Sequence, residues 1–418
     1  MVKKFYLILS LLSFFLLINA QNCTTVIWSG YVNTQAVWDS RQIATLRPNS
    51  PILLWPLEFS PDINCKDTDD HGQFGIFPLT SRLRVTALGP KNCDKRIWAM
   101  IEGEFNGQVI GVANVFKLRH AFIKFEWCHH TLLLGNFWHP LVPDDCMANT
   151  VDFNNGAPIA ALTQNPQLRY TCRFNNTELL AAANMQLEDP NNGPEGTNTI
   201  YARNAIVPSL SFQVRQYFDE SILGFIVNYK RLVPRLVSGT NFKVDESINS
   251  AVAMVYLKYV YDTFTMNMNF AYIENANNPF LFGGYAVKCQ APVTQFREYA
   301  NIRDISWWID LNYRYKFFEP GLFAGIIKNL GANEPLFIDS VTGEPIVFSF
   351  FSPGGDSSTI SYVWRIAPRI WFDIKPVTVA AEMEFTTAAF GTLNNFAKPI
   401  NARAVTDVRF LLSAFYYF

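Results

Sequence analysis

The sequence predicts an all-β fold: a transmembrane, antiparallel, up-and-down β-barrel of about 16 strands, forming one domain over residues 21–418. Three observations lead to this prediction. Apolar and polar side chains alternate along many segments, and the connections between those segments are short and long in turn. The sequence also finishes on an apolar, strand-like segment, VRFLLSAFYYF. Together these features favour a sheet with two different faces that closes on itself.

Alternation with period 2 marks strands whose two faces meet different surroundings. In FTMNMNFAY, the face that begins at Phe264 is apolar, and Asn267 and Asn269 lie on the other face. In VTVAAEMEF, Glu382 and Glu384 lie opposite an apolar face. The predicted strands begin near Val26, Phe77, Ile97, Phe116, Thr131, Gln167, Glu178, Ala205, Ile222, Asn249, Phe264, Ile302, Gly321, Ser361, Val377 and Thr406.

The lengths of the connections add an independent argument. Long stretches such as 39–75 and 136–165 alternate with tight turns such as CHH, FNN and FDE. A soluble sandwich or propeller has no reason to separate the two lengths. An outer-membrane barrel does, because its periplasmic turns are short and its extracellular loops are long. An even strand count then places both termini on the periplasmic side.

A bilayer explains why the sheet must close. Hydrocarbon offers no hydrogen-bond partners, so a sheet crosses a membrane only when every strand edge is paired. One face meets lipid and is apolar, while the other meets a wet lumen and accepts charge. The apolar stripe of the final segment, from Phe410 to Phe418, is therefore predicted to face lipid. That segment is predicted to pair with the first strand.

Composition excludes two other classes of protein. Charged residues make up 17% of the chain and aromatic residues 15%, and the net charge is −1. Average soluble domains carry about a quarter charged residues, so this chain is poor in charge and offers no basic surface for nucleic acid. After the N-terminal stretch, no uncharged apolar run has the length of a spanning helix, which argues against a helical membrane protein.

Residues 1–20 are predicted to be a secretory signal peptide. Lys3 and Lys4 provide the basic region, residues 5–18 the apolar core, and Ala20 the small residue at the cleavage point. The alternative is an N-terminal anchor helix. The apolar run of about 14 residues is shorter than the roughly 18 that spanning requires, which favours the signal peptide.

Several strings resemble Gram-negative outer-membrane porins, and more narrowly the DcaP-like trimeric porins. They are SRLRVTALG, LRHAF, RIAPRIWF, TTAAFG and the final RFLLSAFYYF, in that order. The resemblance spans roughly residues 26–418 and implies a homotrimer embedded in outer-membrane lipids. It also implies that the terminal stripe is the signal read by the barrel-assembly machinery, carried by Phe410, Leu412, Tyr416 and Phe418. One departure is that such porins can carry a periplasmic coiled coil before the barrel, whereas here the first strand follows almost directly after residue 20.

The loop of about 136–165 is predicted to fold inward and narrow the pore, as the third extracellular loop does in the porins that the sequence resembles. A barrel of about 16 strands is wide enough for an aqueous channel, so selectivity must come from loops and charged rings at the narrow point. The loop carries Asp144, Asp145 and Asp152, and Pro140 and Pro143 stiffen its start. The alternative is a solvated surface loop with ordinary acidic residues.

Strand parity assigns a set of charged side chains to the lumen, where an arginine avoids the cost of about 2–4 kcal/mol that it meets at the lipid midplane. Because closure makes the last strand a neighbour of the first, the arginines of the second, fourth and sixteenth strands are predicted to form one basic wall opposite the acidic loop. The alternative, in which they pair with inward glutamates for stability, is compatible with this role. The candidate pore-lining residues are Arg82, Arg84, Glu102, Glu104, Arg119, Arg169 and Arg409, with Asp144 and Asp145 on the loop.

These features predict a porin, a water-filled channel for passive diffusion of small hydrophilic solutes, either neutral or anionic. The arginine excess leads to the hypothesis that small anions are favoured, and the DcaP-like resemblance implies dicarboxylates among them. No cofactor is expected, and no catalytic motif such as GxSxG or HExxH is present, so an enzyme is not expected. The alternatives left open are a secreted soluble all-β carbohydrate-binding or glycan-active protein, and a barrel with a structural or adhesive role.

The cysteines and histidines do not form a recognisable metal motif. WCHH, at residues 127–130, lacks the spacing of a metal site and falls in a predicted tight turn. Export favours an oxidising compartment, which leaves two disulfides open. One would join Cys93 and Cys128 in neighbouring turns, and the other would join Cys65 and Cys146 on the first and third long loops.

Overall fold

The computed structural model describes residues 24–46, 50–91, 95–109, 112–349 and 358–418, so the predicted signal peptide lies outside the described residues. Strands account for most of these described residues, and two short helices lie in their loops, α1 at Ile200–Asn204 and α2 at Asn277–Phe280. The strands are β1 (Thr25–Asp39), β2 (Ile43–Thr45), β3 (Leu53–Pro56), β4 (Gln73–Phe77), β5 (Arg82–Leu88), β6 (Lys95–Val109), β7 (Val112–Trp127), β8 (His130–Trp138), β9 (Gln164–Phe174), β10 (Thr177–Asn184), β11 (Asn192–Gly193), β12 (Gly196–Thr197), β13 (Ser209–Phe218), β14 (Ser221–Leu232), β15 (Ile248–Tyr261), β16 (Phe264–Glu274), β17 (Gly284–Gln290), β18 (Arg297–Asn301), β19 (Arg303–Tyr313), β20 (Phe318–Gly331), β21 (Val347–Ser349), β22 (Ser358–Ile374), β23 (Val377–Leu393) and β24 (Pro399–Tyr417). Within the described ranges, no helix has the length and apolar character needed to cross a membrane.

Successive long strands pair antiparallel and the ring closes between β1 and β24, which confirms the predicted 16-strand barrel. Register at the closure runs from Tyr31 opposite Tyr417 to Asp39 opposite Arg409. The amide of Phe418 donates to the carbonyl of Gly30 at 3.2 Å, and the amide of Gly30 donates back at 3.0 Å. The last residue is therefore part of the sheet, as the sequence predicted.

The second barrel strand is divided into β4 and β5, both of which pair with β1. Residues 78–81 separate the two pieces and begin with Pro78, which has no amide proton to give to a sheet. The backbone of Asn33 on β1 compensates, because its amide donates to the hydroxyl of Ser81 at 2.9 Å. The prediction placed one continuous strand from Phe77, so the interruption was missed.

The two faces of each strand separate as predicted. On β24, Phe410 and Leu412 point outward and are 50% and 55% exposed, whereas Arg409, Leu411 and Ser413 are buried inside. An outward apolar band around a closed sheet is the arrangement that hydrocarbon requires. The fold is thus an all-β transmembrane barrel.

The short connections gather at one end of the barrel and most long ones gather at the other. Two connections at the loop end are shorter than expected. Only residues 110–111 separate β6 from β7, and residues 394–398 separate β23 from β24. These regions read as a moderate and a long loop in the sequence. In the structure β6 extends to Val109 and β7 begins at Val112, and β23 extends to Leu393 and β24 begins at Pro399, so the strands take up most of the expected loop residues.

The remaining long loops carry structure of their own, which the sequence did not predict. β17 pairs with β18 and β21 in a small sheet, and β11 pairs with β12. A buried carboxylate fixes this layer: Glu246 accepts from Arg235 at 2.7 Å and from the hydroxyl of Tyr299 at 2.9 Å. Burial favours the neutral acid, but these hydrogen bonds and the amide of Arg297 outweigh it, and the pKa of Glu246 is lowered.

Apolar side chains fill the middle of the lumen along the β14–β23 side. Inward residues of the wall there form one cluster with residues of three loops. The loop residues are Leu54, Leu141, Ile159 and Phe280, and the wall residues include Ile226, Met254, Phe323 and Val363. The lumen on this side is therefore filled only in part: apolar loops pack into its middle, while polar residues such as Asn267 and Asn312 line a cavity of about 570 Å³ toward the short turns.

Candidate functional site

An open cavity of about 360 Å³ remains on the other side of the lumen, between the walls of β1, β5, β6 and β7 and the loop 139–163. Five of the residues predicted to line the pore border it together: Arg82, Arg84, Glu102, Glu104 and Arg119. They meet because β5, β6 and β7 are neighbours and residues two apart on a strand share a face. This cavity is the candidate functional site.

The charged side chains of the cavity form one hydrogen-bonded network. Arg82 Nε donates to Glu104 Oε2 at 3.0 Å, and Arg84 donates to Glu102 Oε2 through Nε at 2.8 Å and Nη2 at 2.5 Å. Arg119 bridges the two acids, with 3.0 Å from Nε to Glu102 and 3.1 Å from Nη1 to Glu104. The pairing that the sequence left open as an alternative is therefore present.

Exposure differs between the two signs of charge. The side chain of Arg84 is 46% exposed and that of Arg82 20%, whereas Glu102 and Glu104 are 3% and 4% exposed. The glutamates lie beneath the arginines and orient them. Within this network a solute consequently meets guanidinium groups before it meets carboxylates, while Glu188 and Asp189 border the cavity elsewhere.

The loop 139–163 is held within the lumen by wall side chains along its length. The amides of Val151 and Asp152 both donate to Glu382 at 2.9 Å. Asn267 donates to the carbonyl of Met147 at 2.9 Å, and the amide of Asn149 donates to Asp310 at 3.1 Å. Polar groups of the backbone are thus satisfied inside the barrel, which allows the loop to lie there at low cost.

A second loop also enters the lumen, which the sequence reasoning missed. β2 and β3 form a hairpin, and Leu53 and Leu54 are fully buried. Arg365 joins the two inward loops: Nη1 donates to the carbonyl of Ala157 at 3.0 Å, and Nη2 donates to those of Leu53 at 3.2 Å and Leu54 at 3.0 Å. The apolar run PILLWP within an otherwise polar loop was the signal that could have revealed it.

Arg409 points inward, but it lies behind the loops and not on the open cavity. It is 1% exposed and donates to Asp39 at 2.7 Å, to Asp152 at 2.6 Å and to the carbonyl of Pro51 at 2.6 Å. The structure therefore separates it from the wall that parity had assigned to it, and gives it an anchoring position.

The acidic residues of the loop do not face the arginines of β5. Asp144 and Asp145 lie beside Arg215 on β13, at 3.8 Å and 3.2 Å, while Asp152 pairs with Arg409. Asp144, Arg169 and Arg215 border a different cavity of about 330 Å³. The predicted basic wall opposite an acidic loop is thus replaced by separate ion pairs. Strand parity predicts whether a side chain points into the lumen, but not its height along the barrel axis or the loop residue that it meets.

The cavity has an aromatic side that the sequence reasoning missed. Tyr31, Phe153, Trp371, Phe415 and Tyr417 border it together with the charged network. These rings come from β1, the inward loop, β22 and β24, which are distant in sequence. The inward parity of Phe415 and Tyr417, opposite the lipid-facing stripe of the last strand, was the available signal.

The cysteines within the described ranges are unpaired. Cys65 is exposed, and Cys146 is buried with Sγ 3.5 Å from the carbonyl of Leu257, so the suggested bond between Cys65 and Cys146 is absent. Cys93 lies outside the described residues, and Cys128 is free. In the same part of the chain, no group of three His, Cys, Asp or Glu side chains is arranged to hold a metal ion.

Comparison with solved structures confirms the outer-membrane barrel at the level of fold. The chain is similar to the outer membrane channel DcaP of Acinetobacter baumannii, with 14% identity and a TM-score of 0.67 over 96% of this chain and 99% of that one. It is similar to OmpT of Vibrio cholerae in a trimer form, with 11% identity and a TM-score of 0.55 over 95% and 100% of the two chains. The anion-selective porin from Comamonas acidovorans gives 10% identity and a TM-score of 0.54 over 95% and 100%. No family model and no curated protein matches the sequence.

Proposed function

We propose that the protein is an outer-membrane channel through which small hydrophilic solutes diffuse passively, and that small anions such as dicarboxylates are favoured. The supporting observation is the open cavity beside the inward loop, where Arg82 and Arg84 are exposed and the glutamates that pair with them are buried. Guanidinium groups at a narrow point raise the local concentration of anions and bind carboxylates through a planar fork.

The fold supports a channel over the other classes considered. A soluble all-β protein has no use for an outward band of half-exposed rings and leucines such as that on β24. The solved neighbours include proteins described as an outer membrane channel and as an anion-selective porin, and these descriptions belong to those proteins. No catalytic role is proposed, because charged side chains of the cavity such as Arg119 and Glu102 pair with one another.

The proposed assembly is a homotrimer surrounded by outer-membrane lipids. The trimer form of OmpT of Vibrio cholerae, which has a similar fold, supports this proposal. Recognition by the barrel-assembly machinery is proposed for Phe410, Leu412, Tyr416 and Phe418, whose side chains face outward and are about half exposed.

Reconstitution in planar bilayers tests the proposal. Purified protein should produce stepwise conductance, and under a KCl gradient the reversal potential should have the sign of chloride preference. Liposome swelling should be faster with small neutral sugars and small carboxylates than with larger solutes.

A folded, membrane-inserted protein that produces no conductance and no swelling would overturn the channel. A clear cation preference would leave the channel standing and remove the preference for anions. Cross-linking followed by gel electrophoresis without heating tests the trimer separately.

A further inference from the structure

We propose that the open cavity is a binding station for anions that combine one carboxylate with one planar ring, and that it favours them over aliphatic dicarboxylates. The carboxylate would bind Arg82 and Arg84, and the ring would lie against Phe153 and Tyr31. This inference rests on the proposed channel and its preference for anions, and it replaces aliphatic dicarboxylates by ring-bearing monocarboxylates as the solute class that the cavity fits best.

The arginines retain donors for a ligand. Arg82 uses Nε for Glu104, and Arg84 uses Nε and Nη2 for Glu102. Among the described residues, neither Nη atom of Arg82 nor Nη1 of Arg84 donates to a protein acceptor. The two residues are two apart on β5, which sets them roughly 7 Å from each other along one face of the strand. Two guanidinium groups at this spacing can share a single carboxylate.

The rings stand directly beside these donors. Arg82 Cζ is 5.2 Å from the ring centre of Phe153 and 5.5 Å from that of Tyr31. The two rings are 6.4 Å apart and inclined by 28°. Stacking on these rings holds the guanidinium in one orientation while its hydrogen-bonding edge stays free, which prepares it for an anion. A ring attached to the carboxylate then falls on an aromatic surface.

The aromatic surface extends further along the cavity. Phe415 lies 5.6 Å from Tyr31 and 6.0 Å from Tyr417, and Trp371 lies 5.6 Å from Phe415. If these rings served only to pack the loop, they would be closed over as the apolar side of the lumen is. Instead they border open space, and Tyr417 is 47% exposed. A surface of several rings in contact with water is suited to stacking with a ligand.

The charges of the cavity discriminate against a second carboxylate. Besides Glu102 and Glu104, the acids Glu188 and Asp189 border the same space. Lys117 and Arg119 are further cations there, but Lys117 pairs with Glu188, and Arg119 pairs with Glu102 and Glu104. A dicarboxylate that placed one end on Arg82 would bring its other end among these acids, whereas a ring would not. The volume of about 360 Å³ accommodates a single-ring acid.

Current block in planar bilayers tests this inference with benzoate as the probe, and with cyclohexanecarboxylate, propanoate and succinate as comparisons. Benzoate should interrupt the current at roughly threefold to tenfold lower concentration than cyclohexanecarboxylate, the factor that an aromatic contact provides. Phe153→Leu keeps the apolar packing of the loop but removes the ring, and should abolish that difference. Arg82→Gln should weaken the block by benzoate and propanoate alike.

Three results would overturn the binding station. They are equal block by all four anions, stronger block by succinate than by benzoate, and an unchanged benzoate effect in Phe153→Leu. Benzoate binding to the folded protein in detergent, followed by tryptophan fluorescence, gives a readout that does not need conduction. If the protein binds benzoate but does not conduct, the proposed channel is wrong and the binding station stands. If it conducts but shows no preference for benzoate, the channel stands and the binding station is wrong.

Discussion

The two sides of the lumen face the same space but differ in what fills it. Along β14–β23 apolar inward residues of the wall pack against the loops in one cluster, polar ones such as Asp310 and Glu382 hold the loop backbone, and a cavity of about 570 Å³ lies toward the short turns. Along β1 and β5–β7 many inward residues are charged, polar or aromatic, and an open cavity of about 360 Å³ remains beside the charged network. The difference shows that the width of this barrel does not fix the width of its pore. The choice of inward side chains on each strand decides whether a loop is held or a solute is admitted.

The largest effect on stability is expected from removing a buried side chain on the apolar side of the lumen. Phe323 is fully buried beneath the inward loop, where Gly156 approaches so closely that a Cβ on it would lie 2.7 Å from Phe323 Cζ. Phe323→Ala should lower the free energy of unfolding by about 3–5 kcal/mol, because a cavity remains where the loop cannot collapse. Denaturant unfolding in detergent, followed by gel mobility, measures this change.

The control for this substitution is Phe225→Ala on β14, whose side chain faces lipid and is 45% exposed. It should cost less, because acyl chains fill the space that the ring leaves. An equal loss in the two variants would show that the apolar side of the lumen is not a packed core.

The next effect concerns the residue that joins the two inward loops. Arg365→Met removes the donors to the carbonyls of Leu53, Leu54 and Ala157 and leaves Glu384 without the cation 3.7 Å away. We expect a loss of about 1.5–3 kcal/mol together with noisier single-channel currents, because loops 43–56 and 139–163 are less firmly held. Arg203→Ala, at an exposed position of α1, should change neither quantity. Quiet currents from a destabilised Arg365→Met would contradict an anchoring role.

On the open side, a change of charge should alter selectivity and leave stability nearly unchanged. Arg84→Gln removes the most exposed cation of the network while Arg82 and Arg119 remain paired with the glutamates. The ratio of anion to cation permeability should fall by roughly fivefold, the factor that corresponds to about 1 kcal/mol between unit charges at 4 Å in water. Reversal potentials under a KCl gradient measure it, and Arg203→Gln is the matched control.

The smallest effect is expected from the loop layer around Glu246, which contacts β14 and β15. The pKa of Glu246 is lowered in the folded protein, so its contribution is present above the usual pKa of about 4.3 and is lost as pH falls through the folded value. Acidification from pH 7 to about pH 3 should therefore lower the protection factors of amides in 233–247 and 291–297, that is, their exchange rates relative to the intrinsic rate at each pH. Glu246→Gln should remove most of this pH dependence. Equal protection factors at both pH values in the unmodified protein would contradict it.

The barrel could be predicted from the sequence because its signal is local. Each strand carries its own alternation, so starts such as Glu178, Ile222 and Asn249 lie within one residue of β10, β14 and β15 as observed. The interruption between β4 and β5 was missed because both pieces alternate, although the outward face changes from even positions such as Phe74 and Ile76 to odd ones such as Leu83.

The candidate site was predicted only in part, because its geometry depends on depth and on distant contacts. Parity placed Arg82, Arg84 and Arg119 inside the barrel, and the structure brings them together. It could not reveal that the hairpin of β2 and β3 covers Arg409, or that Asp145 lies beside Arg215. Those contacts join segments that are far apart in the sequence, so no local sequence pattern predicts them.

The pairing of β1 with β24 also has a consequence for the folding of the barrel. Asp39 and Arg409 meet across 370 positions of sequence, so this seam cannot form until almost every other strand has arrived. Until the seam forms, the incomplete sheet has two unpaired edge strands, and each can pair with a strand of another chain. Slow folding is therefore inherent in this topology, because its closing contacts are the most distant in sequence. A chaperone that covers the unpaired edge strands would protect newly exported chains from aggregation.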